Sequence, residues 1–166
     1  MAGRLSHIDT AQPDLIARAT LRIDTPGPAL IEFTHDAALF LNQSGAGDGA
    51  LTAFVQHTSA SLTIQENADP DVRRDLLTAL QRLAPENAGW VHDTEGPDDM
   101  PAHIKAMLTG VSLGVPVTGG RMVLGTWQGL YLVEHRRAPH AREIVLQFIG
   151  SRSGPRSRGE TAALIL

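Results

Sequence analysis

The chain has 166 residues, 42% hydrophobic and 19% charged, which is the range of one compact domain able to bury its own core. Lys and Arg number 14 against 18 Asp and Glu, and the resulting charge of −4 offers no basic stripe to neutralise a phosphate backbone, so no nucleic-acid partner is expected. Cysteine is absent, which excludes disulfides, thiolate nucleophiles and cysteine-ligated zinc. The first twenty residues carry Asp9 and Asp14 and no apolar core of a signal peptide. No stretch approaches the roughly 18 apolar residues of a membrane span, so the expectation is a soluble cytoplasmic protein with no membrane partner. Seven aromatic residues are matched by seven histidines, which makes histidine the first residue type to question.

The opening seventeen residues are polar and unpatterned. Ala19, Leu21 and Ile23 then alternate with Arg18, Thr20, Arg22 and Asp24, the period of a half-exposed strand. After Pro26-Gly27-Pro28, a short apolar run over 30–33 meets Thr34, read as the N-cap of a helix to about Asn42. Gly45, Gly47 and Gly49 predict a flexible turn. Strands are predicted over 51–56 and 61–65, flanking His57-Thr58-Ser59. Asp69-Pro70 is a strong helix start, and Val72, Leu76, Leu77, Leu80 and Leu83 form one apolar stripe behind it.

Residues 85–101 form a long connection rich in Gly, Pro, Asp and Glu, of the kind that carries function or disorder. A short helix over about 102–108 follows, with Asp98-Asp99 at its positive end. The last third predicts an antiparallel meander with strands over 111–117, 121–125, 127–135 and 142–149. The organisation expected is one domain over 1–150 and a loosely ordered extension over 151–166.

His57, at the end of a buried strand, must find hydrogen-bond partners or remain neutral. With His92 and His103 it makes three imidazoles, a sufficient protein set for a catalytic zinc with one open position, although the spacing matches no local motif such as HExxH. Asp69 is accounted for by helix capping alone. In the strand over 127–135, alternation places Gln128, Leu130, Leu132 and Glu134 on one face and Trp127, Tyr131 and His135 on the other. Glu134 either pairs with an arginine such as Arg142 or serves the imidazoles as an orienting partner or general base. Neither GxGxxG nor GxxxxGK[ST] occurs, which removes the Rossmann and Walker readings.

Three segments carry a resemblance: His57-Thr58-Ser59-Ala60 with Gln65-Glu66-Asn67-Ala68-Asp69-Pro70-Asp71-Val72; Glu95-Gly96-Pro97-Asp98-Asp99-Met100-Pro101-Ala102-His103-Ile104-Lys105; and Leu124-Gly125-Thr126-Trp127-Gln128-Gly129. Together they resemble the YjbQ family, described as secondary thiamine-phosphate synthases, over about 15–150. The resemblance implies an α+β fold with an antiparallel sheet and a few helices, a homotrimer, and a histidine site near the subunit contacts that binds a divalent metal, zinc or magnesium. The implied reaction joins a hydroxymethylpyrimidine diphosphate to a thiazole phosphate and releases pyrophosphate. On that reading His57, His92 and His103 hold the metal, and Glu66, Asn67, Asp69 and Glu134 surround the reacting groups. Ser59, Lys105, Gln128 and Arg142 take the phosphorylated substrate. A metal-dependent hydrolase of a small anionic metabolite and a non-catalytic metal or small-ligand binding protein are the alternatives. After Glu134 this sequence continues His135-Arg136-Arg137-Ala138-Pro139-His140-Ala141-Arg142, where another branch of the family is acidic and glycine-rich.

Overall fold

The computed structural model describes residues 8–154, which form an α+β fold of two antiparallel sheets and three helices. The strands are β1 (Leu15–Thr25), β2 (Ala29–Glu32), β3 (Ala46–Val55), β4 (Ala60–Glu66), β5 (Ser112–Thr118), β6 (Arg121–Met122), β7 (Gln128–Glu134) and β8 (His140–Arg152). The helices are α1 (Thr34–Ser44), α2 (Pro70–Leu83) and α3 (Asp99–Thr109). One sheet runs β1-β8-β3-β5-β6 and the other β2-β7-β4. The expected meander is therefore corrected. Only β5 and β6 pair as a hairpin, while β7 crosses to the second sheet and β8 returns to sit between β1 and β3.

A single hydrophobic cluster draws on both sheets. It takes Leu51, Ala53 and Val55 from β3, Ile144, Leu146 and Phe148 from β8, and Leu62, Leu130 and Leu132 from β4 and β7. Burying each such side chain is worth about 1.5–3 kcal/mol. Alternation along β8 carries Arg142 onto this same inward face, one step before Ile144. β7 is buried on both faces, so Tyr131 and Val133 are as enclosed as Leu130 and Leu132. That double burial is the usual position of a central strand, and a sheet exposed on one side does not provide it.

Three local expectations change. Thr34 does not cap α1: its hydroxyl donates to Glu32 Oε1 at 2.8 Å and accepts from the Leu130 N–H at 2.8 Å, which ties the helix start to β7. Gly45 is the left-handed residue that closes α1, but Gly47 and Gly49 lie within β3. Gly49 faces Gly150 on β8, beside a register shift between Ala46 and Gly49. A Cβ on Gly49 would stand 2.3 Å from the Ile149 carbonyl oxygen, so close backbone approach explains this glycine. α2 begins as expected, with Asp69 Oδ1 accepting from the Asp71 N–H at 2.8 Å, yet none of its residues is fully buried. α3 starts at Asp99, earlier than the apolar pattern suggests, and β8 runs on through Ser151 and Arg152. The expected loose extension from 155 onward lies outside the described residues.

Candidate functional site

α3 sets Asp99 and His103 one turn apart, on one face of the helix. The connection after α2 brings His92 to the same place, and His92 Nε2 lies 2.7 Å from Asp99 Oδ2. His103 Nε2 is 3.7 Å from that oxygen, and the two imidazole rings are 5.5 Å apart. One donor atom from each of the three residues falls within 4.8 Å of the others. His103 Nδ1 donates to the Thr58 carbonyl at 3.1 Å, which orients the ring with Nε2 turned towards the carboxylate. Asp99 is buried, and its other oxygen accepts from the Arg136 guanidinium. Two imidazoles and one carboxylate are the donor set of a His₂-carboxylate zinc site, and three protein donors leave positions for water or substrate. The residues present fit a divalent metal.

His57 is not part of this group. Its Nε2 accepts from the Glu143 N–H at 3.0 Å, so the lone pair needed for a metal is already occupied. Burial, then the nearby Arg142 charge, hold its pKa below the ordinary histidine value. Among the described residues His92 and His103 come together with Asp99, and His57 lies apart from them. The reason is the i, i+4 geometry of α3, which makes the helix-start acid a neighbour of His103.

A second cluster closes the end of the core between the sheets. Arg142 clamps Glu134 with Nη2 to Oε1 at 2.6 Å and Nε to Oε2 at 2.7 Å, and both side chains are buried. Glu134 also accepts from Thr25 Oγ1 at 2.7 Å and from the N–H groups of His135 and Arg136, each at 2.9 Å. Burial acts to raise the Glu134 pKa, but these bonds, Arg142 first, outweigh it and hold the carboxyl below its ordinary value. The remaining reach of Arg142 Nη2 goes to Ser59 Oγ at 3.2 Å. Arg142, expected to meet a phosphate, commits its Nε and Nη2 to Glu134 and Ser59 inside the protein. The two clusters meet at the His57-Thr58-Ser59 segment, which takes Glu143, His103 and Arg142 in turn.

The other expected residues lie elsewhere. Ala60 pairs with Glu134 and Glu66 pairs with Gln128, six positions apart along β4, which at ~3.3 Å per residue is roughly 20 Å. Glu66, Asn67, Asp69 and Gln128 therefore gather at the far end of the smaller sheet. Asn67 N–H donates to the Trp127 carbonyl, Asp69 caps α2, and Gln128 Oε1 accepts from the Gly125 N–H. The strand register does not bring them together with Glu134 within the described chain. Lys105 points to a third place, a cleft of about 330 Å³ that it lines with His135 and Arg137.

Asp99, Arg136 and His135 are the residues that sequence reasoning missed. Asp99 was legible in principle, because Asp99-x-x-x-His103 is a one-face spacing on a helix. Arg136 was not, since its partners Asp98 and Asp99 are 38 and 37 residues away.

The YjbQ-like description of UPF0047 proteins matches residues 19–151. The chain belongs to the UPF0047 YjbQ-like family. Among its members, the UPF0047 protein sll1880 of Synechocystis is 49% identical over 131 residues, covering 78% of this chain and 89% of that protein. UPF0047 protein YjbQ of Salmonella typhimurium is 50% identical over 102 residues, 61% of this chain and 74% of its own length. Among solved structures, the conserved hypothetical protein TT1486 of Thermus thermophilus superposes with a TM-score of 0.69 at 37% identity, covering 76% of this chain and 97% of that one. A YbjQ-like protein of unknown function from Sulfolobus solfataricus shares the fold, with a TM-score of 0.74 at 24% identity over 82% of this chain and all of its own. The YjbQ-like fold and family are therefore common ground. No helix among the described residues is long and apolar enough to cross a membrane.

Proposed function

We propose that the chain is a metal-assisted enzyme acting on a small phosphorylated metabolite. The thiamine-phosphate-synthase-like reaction, with release of pyrophosphate, is its leading form. The observation that carries this reading is the convergence of His92, Asp99 and His103, with the His103 ring oriented by the Thr58 carbonyl. When bound there, a divalent metal supplies positive charge to stabilise a departing pyrophosphate. His92 and His103 would present imidazole nitrogens to it and Asp99 a carboxylate oxygen. Arg136, bonded to Asp98 and Asp99, fixes the carboxylate's orientation and adds a positive charge beside the departing group.

The hydrolase alternative requires a carboxylate that takes a proton from water. Glu134 is a poor candidate, being buried and the acceptor of five hydrogen bonds. The reading also takes the active form to be a homotrimer. Support comes from the half-buried stripe of α2 and from large apolar side chains left open on one protomer, among them Leu83, Met107, Leu108, Val123 and Trp127.

The test is metal content by mass spectrometry together with pyrophosphate release from the pyrimidine diphosphate and thiazole phosphate, with and without chelator. His103→Ala and Asp99→Asn should each lose metal and turnover, while His57→Gln should keep the metal. Wild-type metal content in both variants rejects the site. Turnover that chelator leaves unchanged rejects the metal-assisted reaction, and metal binding without turnover favours the binding-protein alternative. Light scattering that returns a monomer mass removes the trimer.

A further inference from the structure

The cleft beside Lys105 is separate from the His92, Asp99 and His103 group. His103 and Lys105 are two residues apart on α3, and at about 100° per residue their side chains leave the helix some 200° apart. The lysine side faces the end of α2, the turn after it and the chain following β7, with Ala84, Glu86, His135 and Arg137 among the lining residues.

Lys105 is only 8% exposed, and its ammonium, which makes no hydrogen bond or ion pair among the described residues, opens onto the cleft that it lines. The two carboxylates that influence it, Glu86 and Asp98, act from a distance and have closer partners. Glu86 is 2.5 Å from Arg137 Nη2, and Asp98 accepts from Arg136 Nε at 3.2 Å and from the Arg137 N–H at 2.8 Å. With a buried stem and no protein acceptor, the ammonium takes its partners from the cleft, where an anion serves it better than water. His135 adds to the same wall. Its Nε2 is bonded to Ser61 Oγ at 2.8 Å, which leaves Nδ1 as the ring nitrogen without a partner among the described residues.

We propose that this cleft binds the phosphate group of a small organic phosphate, through the Lys105 ammonium, the Arg137 guanidinium and the His135 ring. Two cationic donors and an imidazole suit the several oxygens of a phosphate better than the two of a carboxylate. A volume of about 330 Å³ exceeds what a bare phosphate fills, and Pro28, Ala84 and Pro85 provide apolar wall for an organic portion. Glu86 sits at the same place as an opposing charge and holds Arg137 in the empty protein. The inference rests on the phosphorylated-substrate reading for its ligand class, and it adds where a phosphate sits, across α3 from the histidines.

The experiment is calorimetric titration of the full chain with pyrophosphate, and separately with inorganic phosphate, in chelator so that no metal-held phosphate contributes. Lys105→Met should weaken binding at least about tenfold, the worth of one charge-assisted hydrogen bond. Arg137→Gln should weaken it, Glu86→Gln should tighten it, and His103→Ala should leave it unchanged. Arg137 is 65% exposed at its side chain, so its variant keeps the test valid even where Lys105→Met does not fold. Absence of binding to wild type, unchanged binding in Arg137→Gln, or equal affinity for succinate each overturns the proposal. Because no metal and no turnover enter the measurement, failure of the metal-assisted reaction leaves the result readable on its own.

Discussion

Acidification should destabilise this fold through His135. The ring is 3% exposed, and burial, then the Lys105 charge, lower its pKa to about 4 from the 6.5 of an unfolded chain. Between those values the unfolded state binds more protons than the folded one, so this contribution is complete above pH 6.5 and is lost as pH falls towards 4. Each tenfold rise in proton concentration is worth ~1.4 kcal/mol, and pH 6.5 to 5 spans one and a half such steps, so acidification from pH 7.5 to 5 should remove about 2 kcal/mol. Glu134 does not interfere in this window, because its carboxyl is held below the ordinary value of 4.5. The assay is urea unfolding at pH 7.5, 6.5, 5.5 and 5.0 for wild type and His135→Gln, whose amide can still bond to Ser61. Wild type should lose about 2 kcal/mol more than the variant across the series, with m unchanged. Parallel losses in the two proteins would refute the reasoning, since His135 would then not be held neutral by the fold.

Three further outcomes are expected. Glu134→Ala strands a buried guanidinium and should cost about 3–5 kcal/mol in urea unfolding. The double variant Glu134→Leu with Arg142→Met should cost much less than the sum of the single changes, and additivity would contradict a tight pair. Gly49→Ala forces a Cβ against the Ile149 carbonyl and should lower stability by roughly 1–3 kcal/mol, visible as a drop in Tm, whereas Gly114→Ala, with open space around it, should not do so by this route. Asp69→Ala removes one cap bond and should cost about 1 kcal/mol in urea unfolding, with no change in metal content.

Much of the fold was legible because its signals are local. The alternation of β1, the Asp69-Pro70 start of α2 and the Leu51, Ala53, Val55 face of β3 are each written within a few residues. Glu134 and Arg142 were also legible as a possible pair, being close in sequence and of opposite charge. The candidate site was less so. His92 and His103 were picked out as residue types, but their grouping with Asp99 depends on the path of an irregular connection that no periodicity describes. His57 was assigned to the same group from its residue type, its place at a strand end and the resemblance, and the structure gives its nitrogen to the Glu143 N–H.

By itself the sequence determined which segments alternate, which carry a helical stripe, that no thiolate chemistry is available, and which family the motifs resemble. The alternation and the stripes follow from side-chain type at spacings of two to four residues, and the resemblance rests on three longer motifs. Only the tertiary structure decided that β7 and β8 belong to different sheets, and that Glu66 and Glu134 stand at opposite ends of one of them. It alone decided that Lys105 lines a cleft together with His135 and Arg137. Strand order and register are set by how whole faces bury together, a property of the assembled core that no short stretch of chain contains.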